Sequence, residues 1–215
     1  MPVAVRPLLL AAAVLALSAC HRTPEPVKTD VPAGTYKLDP AHASLVFRVN
    51  HLGMSHYTAR FTKLDATLEL DPKNPAASRV SATVDPRSLE TDYPLPEPDF
   101  DAQLTGPDWL DAARYPAISF RTTKVEPTSP DTAEVTGDLT LHGVTRPVTL
   151  KAKFNGGYAS HAMDPSGARI GFSATGALNR SDFGISYGVP AKGSTFGVGD
   201  EVEMQIEAEF TRPKG

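Results

Sequence analysis

The stretch Val135–Phe154, VTGDLTLHGVTRPVTLKAKF, decides the fold. Val135, Gly137, Leu139 and Leu141 alternate with Thr136, Asp138, Thr140 and His142; Val148, Leu150, Ala152 and Phe154 then alternate with Thr149, Lys151 and Lys153. Both arms have period two, so each presents an apolar and a polar face, and Gly143–Pro147 supplies the break of a β-hairpin. A hairpin alone is marginal in water, so the chain must supply neighbours of the same pattern.

It does. Leu45, Phe47, Val49 and His51 share one face of a strand that begins at Ser44, preceded by a short extended piece, Gly34–Asp39. Tyr57–Asp71 alternates through Leu64, Ala66, Leu68 and Leu70, with Phe61 out of phase, which predicts one long strand bulged near Thr62. Val80, Ala82 and Val84, then Ile118 and Phe120, then Ile170 through Leu178 follow suit. Glu201–Thr211 closes the series, with Val202, Met204, Ile206, Ala208 and Phe210 on one face and glutamates on most of the other. Between them, Pro86–Pro116 breaks the pattern with prolines, places Phe100 and Leu104 at helical spacing, and shows a helix-start signal at Gly106-Pro107-Asp108.

Roughly eight long strands with mostly short connections predict an all-β, antiparallel up-and-down β-barrel of lipocalin-like type with a short helical insertion; a two-sheet sandwich is the competing arrangement. Inward residues at Ala82, Gly137, Ala152, Ala174, Gly176 and Ala208 are small and leave room for a lumen ligand. The expected lining is Phe47, Val49, Leu68, Val84, Phe120, Leu139, Phe172, Met204 and Ile206. Up-and-down order puts His51–His56, Pro86–Pro116, His142–Pro147 and Asn179–Asp200 at one rim, where the mouth is expected. His51, Trp109, His142, Arg180 and Asp182 are the candidates there for contact with a ligand's polar head; for Arg180 and Asp182 the alternative is a local salt bridge.

The N-terminus reads separately. Leu8–Leu17 is an apolar run, followed by Ser18-Ala19-Cys20, which makes residues 1–19 a signal segment and Cys20, the chain's only cysteine, a lipidation site. Residues 20–33, rich in proline, form a tether, and 34–213 the barrel domain. This predicts a membrane anchor through the lipidated N-terminus and a periplasm-facing place in the bacterial cell envelope, at the outer membrane because His21 is not an aspartate. Without the signal, 20 basic residues stand against 25 acidic ones, with no basic cluster, which excludes nucleic acid as a partner.

Two catalytic patterns carry little weight. Gly184–Gly188 matches G-x-S-x-G around Ser186, but that elbow needs a strand before it and a helix after it, so a hydrolase is a distant alternative. His42, His51, His56, His142 and His161 lack metal-site spacing, so no metal is expected.

The chain resembles the YceI-like family of periplasmic, lipocalin-like barrels that bind polyisoprenoid lipids. The resemblance lies in YKLDPAHASLVFRVNHLG (36–53), FDAQLTGPDWLDAARYPAISF (100–120), GDLTLHGVTRPVTL (137–150) and NRSDFGI (179–185). Departures are Ala43, inserted between His42 and Ser44, and Ala59-Arg60-Phe61, which lacks a glycine. The resemblance implies a hydrophobic tunnel for an isoprenoid tail, with a polar head near the rim, no catalytic residues and no cofactor; a polyprenyl phosphate or a quinone is an example of such a ligand, but tail length and head group do not carry over from the family. A structural or partner-binding lipoprotein without ligand is the second reading, and whether the protein is a homodimer stays open.

Overall fold

In a computed structural model, the structure describes residues 30–213. Ten β-strands occur in chain order: β1 (Gly34–His51), β2 (Ser55–Phe61), β3 (Leu64–Leu70), β4 (Arg79–Val84), β5 (Leu89–Glu90), β6 (Ile118–Pro127), β7 (Thr132–Leu141), β8 (Val144–Tyr158), β9 (Ala168–Asn179) and β10 (Val198–Arg212). One helix, α1 (Phe100–Thr105), lies between β5 and β6. The signal, Cys20 and most of the tether lie outside the described residues.

All pairings are antiparallel, and β10 pairs with β1, so the sheet closes on itself. Eight strands form the ring, β1, β3, β4, β6, β7, β8, β9 and β10, while β2 extends the wall above β3 and β5 caps β2. Closure pairs every ring strand on both sides over part of its length, which relieves the usual weakness of an all-β chain, while β8 stays unpaired on its β9 side before Lys151.

Three local expectations change. The extended piece at Gly34 and the strand at Ser44 are one strand, because β1 runs through Asp39–His42 on a bulge where its register against β10 shifts between Leu38 and Ala43. The inserted Ala43 lies at the end of that bulge. Conversely, the long strand expected over 57–71 breaks at Thr62-Lys63 into β2 and β3, since Thr62 N–H and Lys63 N–H bond to Ser88 instead of to the ladder. Gly106 ends α1 rather than starting a helix, and Asp99 caps the N-terminus by accepting from Ala102 N–H.

The opening hairpin is tighter than its sequence suggested. Its turn is His142-Gly143 alone, with Leu141 opposite Val144 and both turn residues at positive φ (51° and 74°). That is the two-residue turn whose twist matches its strands, and it needs a left-handed backbone at both positions. Pro147 therefore sits within β8, opposite Asp138; β8 pairs with β9 only from Lys151 onward, so its missing N–H removes no bond on that side.

The core divides into two clusters. Toward the short turns, Val31, Tyr36, Ala66, Leu68, Ala168, Ile170 and Phe210 pack together; toward the long loops, Leu139, Leu141, Val148, Phe183 and Ile185 do so. Tyr36 is fully buried and donates its hydroxyl to Pro32 O, which seats the N-terminal segment against the barrel end.

Candidate functional site: the lumen and its roof

Between the two clusters the barrel is hollow. A cavity of about 1130 Å³ runs through it, larger than most small-molecule sites. All nine residues expected to line it do so: Phe47, Val49, Leu68, Val84, Phe120, Leu139, Phe172, Met204 and Ile206. Most inward side chains remain partly accessible from inside, as a filled barrel would not allow.

The small residues divide into two groups. Ala82, Ala152, Ala174 and Ala208 do line the cavity. Gly137 and Gly176 do not enlarge it: a Cβ on Gly137 would lie 2.3 Å from Phe120 Cζ, and one on Gly176 would lie 2.6 Å from Leu150 Cδ2. Those glycines are filled by their neighbours, an interdigitation of large and small side chains.

The two ends of the cavity are built differently. Toward the long-loop end the lining residues Leu89, Leu141, Arg180 and Ile185 are buried, while Tyr93, Asp65 and Thr83 are exposed. At the short-turn end Pro72, Pro75, Arg79, Pro127, Ser129 and Pro130 both line the cavity and lie exposed. The long loops carry apolar residues that fold inward and roof the barrel. Phe100 of α1 is central to the roof, packed edge-on to Tyr57 at 5.5 Å and against Tyr93 at 5.3 Å. Asp101 holds the connecting loop by accepting from Thr91 N–H and Oγ1.

The rim candidates separate. Arg180, Trp109 and His51 line the cavity, whereas His142 and Asp182 do not. His142 lies 4.5 Å from the Tyr115 ring, with Nδ1 3.1 Å from Phe183 O, and so pins the hairpin turn to the roof. Asp182 is exposed, and Arg180 makes no ion pair with it.

Arg180 is instead 4% exposed and bound to backbone. Its Nε donates to Gly199 O (2.9 Å), one terminal nitrogen to Ile185 O (3.0 Å) and Tyr187 O (2.8 Å), and the other to Val198 O (2.8 Å). Burial pushes its pKa down, and the Asp200 carboxylate opposes this. The local sequence explains the geometry: residues 180–183 form a 3-10 turn ended by Gly184 at φ 79°, and Ser181 anchors it through N–H and Oγ to Asp200. One turn thus sends Arg180 inward and Asp182 outward. Above the guanidinium lies the Trp109 ring, 5.1 Å from Cζ, and Tyr187 packs edge-on to the same indole at 5.4 Å.

Neither catalytic pattern assembles. Ser186 is exposed in a loop with no helix after it. Among the described residues, no three of His, Cys, Asp or Glu converge to hold a metal ion.

Sequence reasoning missed Tyr57, Leu89, Leu110 and Ile185 in the roof. Leu89 lies in the two-residue β5, and Leu110 and Ile185 in loops, so no periodicity marks them; the helical spacing of Phe100 and Leu104 was the available signal.

The YceI-like domain family matches residues 36–210. A UPF0312 protein of Vibrio cholerae is 38% identical over 180 residues, covering 82% of this chain and 87% of that protein. The crystal structure of Burkholderia cenocepacia BcnA is similar at a TM-score of 0.66 and 24% identity, covering 80% of this chain and 98% of that one. A domain from Saccharophagus degradans, described as polyisoprenoid binding and implicated in plant cell wall breakdown, shares the fold at a TM-score of 0.57 and 14% identity, covering 85% of this chain and all of that one. With the barrel, the matched span and these relatives in agreement, the chain belongs to the YceI-like family.

Proposed function

We propose that the barrel binds and carries a long-chain isoprenoid-type lipid in its lumen, without catalysis. The observation that carries this is the apolar cavity of about 1130 Å³ between the roof and the opposite rim. The Saccharophagus domain of the same fold, described as polyisoprenoid binding, supports it.

The energetics favour a long tail. Each buried methylene contributes ~0.8 kcal/mol, so about 15 carbons give about 12 kcal/mol. That is the size of the cost of association itself, roughly 4–15 kcal/mol, so only a longer chain leaves a useful surplus.

The test is organic extraction of the purified protein followed by mass spectrometry, for the wild type and for Phe172→Glu. Phe172 faces the lumen on β9, so the variant puts a charge where the tail would lie. Expected is an isoprenoid in the wild type and none in the variant, with the same circular dichroism. An empty wild-type protein, or equal lipid in both, would sink the proposal.

The setting belongs to the same proposal. A lipid on Cys20 would hold the carrier at the bacterial envelope, facing the periplasm. The mass of the mature N-terminus decides it: an acylated Cys20 supports the anchor, and a free N-terminus further along the chain removes it.

A further inference from the structure

We propose that the roofed end of the barrel is a membrane-docking surface, which sets Met54 and Phe196, with Tyr93, Leu95 and Tyr187 beside them, into the interface of a zwitterionic lipid bilayer. This rests on the lipid-carrier reading above and adds where the carrier meets the membrane that supplies or receives its cargo.

The distribution of exposed apolar side chains carries it. Among the described residues six large hydrophobic side chains are exposed, and five stand at this end: Met54 (76%), Tyr93 (37%), Leu95 (57%), Tyr187 (55%) and Phe196 (83%). The sixth, Met163, is on the β8–β9 loop at the other end. Scattered exposed apolar residues need no explanation, but a surface that gathers them at one end marks an interaction.

These residues are presented on turns that are fastened. Met54 N–H donates to His51 O (3.0 Å) and Gly53 N–H to Asn50 Oδ1 (2.8 Å), which closes the β1–β2 turn. Phe196 N–H donates to Ser194 Oγ, and Val198 N–H donates to Gly188 O (2.8 Å) at the neck of the same loop. The two tips brace each other: Leu52 N–H donates to Gly197 O (2.9 Å), and a Cβ on Gly53 would lie 3.0 Å from Thr195 Cβ. Met54 and Phe196 are thus held in water on hydrogen-bonded turns, each forgoing the stabilisation of burial.

Their spacing and charge select a bilayer over a protein. Met54 and Phe196 are too exposed to shield one another, so they act as separate anchors and form no groove. A fluid interface accepts separate anchors in any register, whereas a protein partner would need a pocket for each. Residues 52–56 and 186–198 hold one formal charge, Lys192, in contrast to the glutamates on the outer face of β10. A lysine beside an apolar tip reaches lipid phosphates while the tip enters the acyl boundary. Asp92 and Glu97 flank Tyr93 and Leu95 and disfavour a strongly anionic surface, which leaves a zwitterionic one. Tyr93 also lines the cavity, so the docking surface is continuous with the lumen wall.

The experiment uses the full chain and phosphatidylcholine vesicles with brominated acyl chains, which quench tryptophan fluorescence on contact. Trp109 is the chain's only tryptophan, so the wild type gives the baseline for a second one. Phe196→Trp should be quenched, whereas Met163→Trp, at a position yet more exposed (88%), should not. All variants share one N-terminus, so an anchor there serves both positions equally and only docking at the roofed end separates them. Met54→Ser combined with Phe196→Ser should lower vesicle affinity by about 10- to 100-fold, with little dependence on salt and unchanged circular dichroism. Quenching at neither position, quenching at Met163→Trp as strong as at Phe196→Trp, equal affinity in the double variant, or a dimer that the double variant dissolves overturns the docking surface while the carrier reading stands. An empty lumen on extraction, with the quenching contrast intact, overturns the carrier reading alone.

Discussion

The two ends of the barrel are each fastened by one arginine, and the two are held in opposite ways. At the roofed end Arg180 is buried among four backbone carbonyls. At the short-turn end Arg169 sits on the outer wall and pairs with Asp39, Asp164 and Glu209. Arg180 ties the loop after β9 to the start of β10. Arg169 ties the β1 bulge and the β8–β9 loop to β10. Carbonyl dipoles do not titrate, so the hydrogen bonds of Arg180 are themselves independent of pH, although Asp200 and Asp101 also brace the roof; the partners of Arg169 are carboxylates, which do titrate. The carbonyl cage supplies dipoles and no counter-charge, so the guanidinium retains a desolvation cost that lowers its pKa and that the Asp200 carboxylate partly offsets.

The strongest way to break this comparison is Arg180→Ala. Four acceptors would lose their donor beside the lumen, and the fold should lose about 3–4 kcal/mol in urea unfolding, measured from the midpoint at unchanged slope. A loss below about 1 kcal/mol would mean that the roof stands without its arginine.

Arg169→Met should cost less, about 1–2 kcal/mol, because the network is partly open to water, with 17% of the arginine side chain exposed. Its effect should include repulsion among the carboxylates left behind and should therefore shrink on acidification.

The smallest effect separates the ends by pH. Ser166, Tyr158 and Arg169 hold the Asp164 carboxyl well below the usual carboxylate range, and His42 and Arg169 lower Asp39. Groups whose folded pKa is depressed bind fewer protons folded than unfolded, so their stabilisation is complete above their unfolded values near pH 4. It is lost as pH falls through the lower folded values. Relative to the intrinsic rate, which itself slows in acid, amide protection near Arg169 and Tyr158 should therefore fall below about pH 4 while Gly199 and Ile185 stay protected. Equal loosening at both ends would remove the distinction.

Much of this was legible before any coordinates. Period-two alternation assigned the inward face of every long strand, and in a closed barrel that face has one destination, so all nine expected lining residues reached the cavity. Where alternation failed, so did the reading. Gly137 and Gly176 looked like space because a strand pattern shows which way a residue points, and not which neighbour leans over it. Arg180 and Asp182 looked like a pair because they are close in sequence, but a 3-10 turn aims them apart.

The sequence by itself determined the strands, their faces, the up-and-down order and hence the barrel, since these follow from local periodicity and from the need to bury one apolar face. Only the tertiary structure decided that apolar residues of the long loops fold over the lumen and that Arg180 is caged by carbonyls. Those depend on contacts between segments far apart in the chain, whose partners no local pattern names. The hairpin 135–154 joins both kinds of knowledge: alternation made it a pair of staves, and the tilted contact of His142 with Tyr115 fixed its turn to the roof.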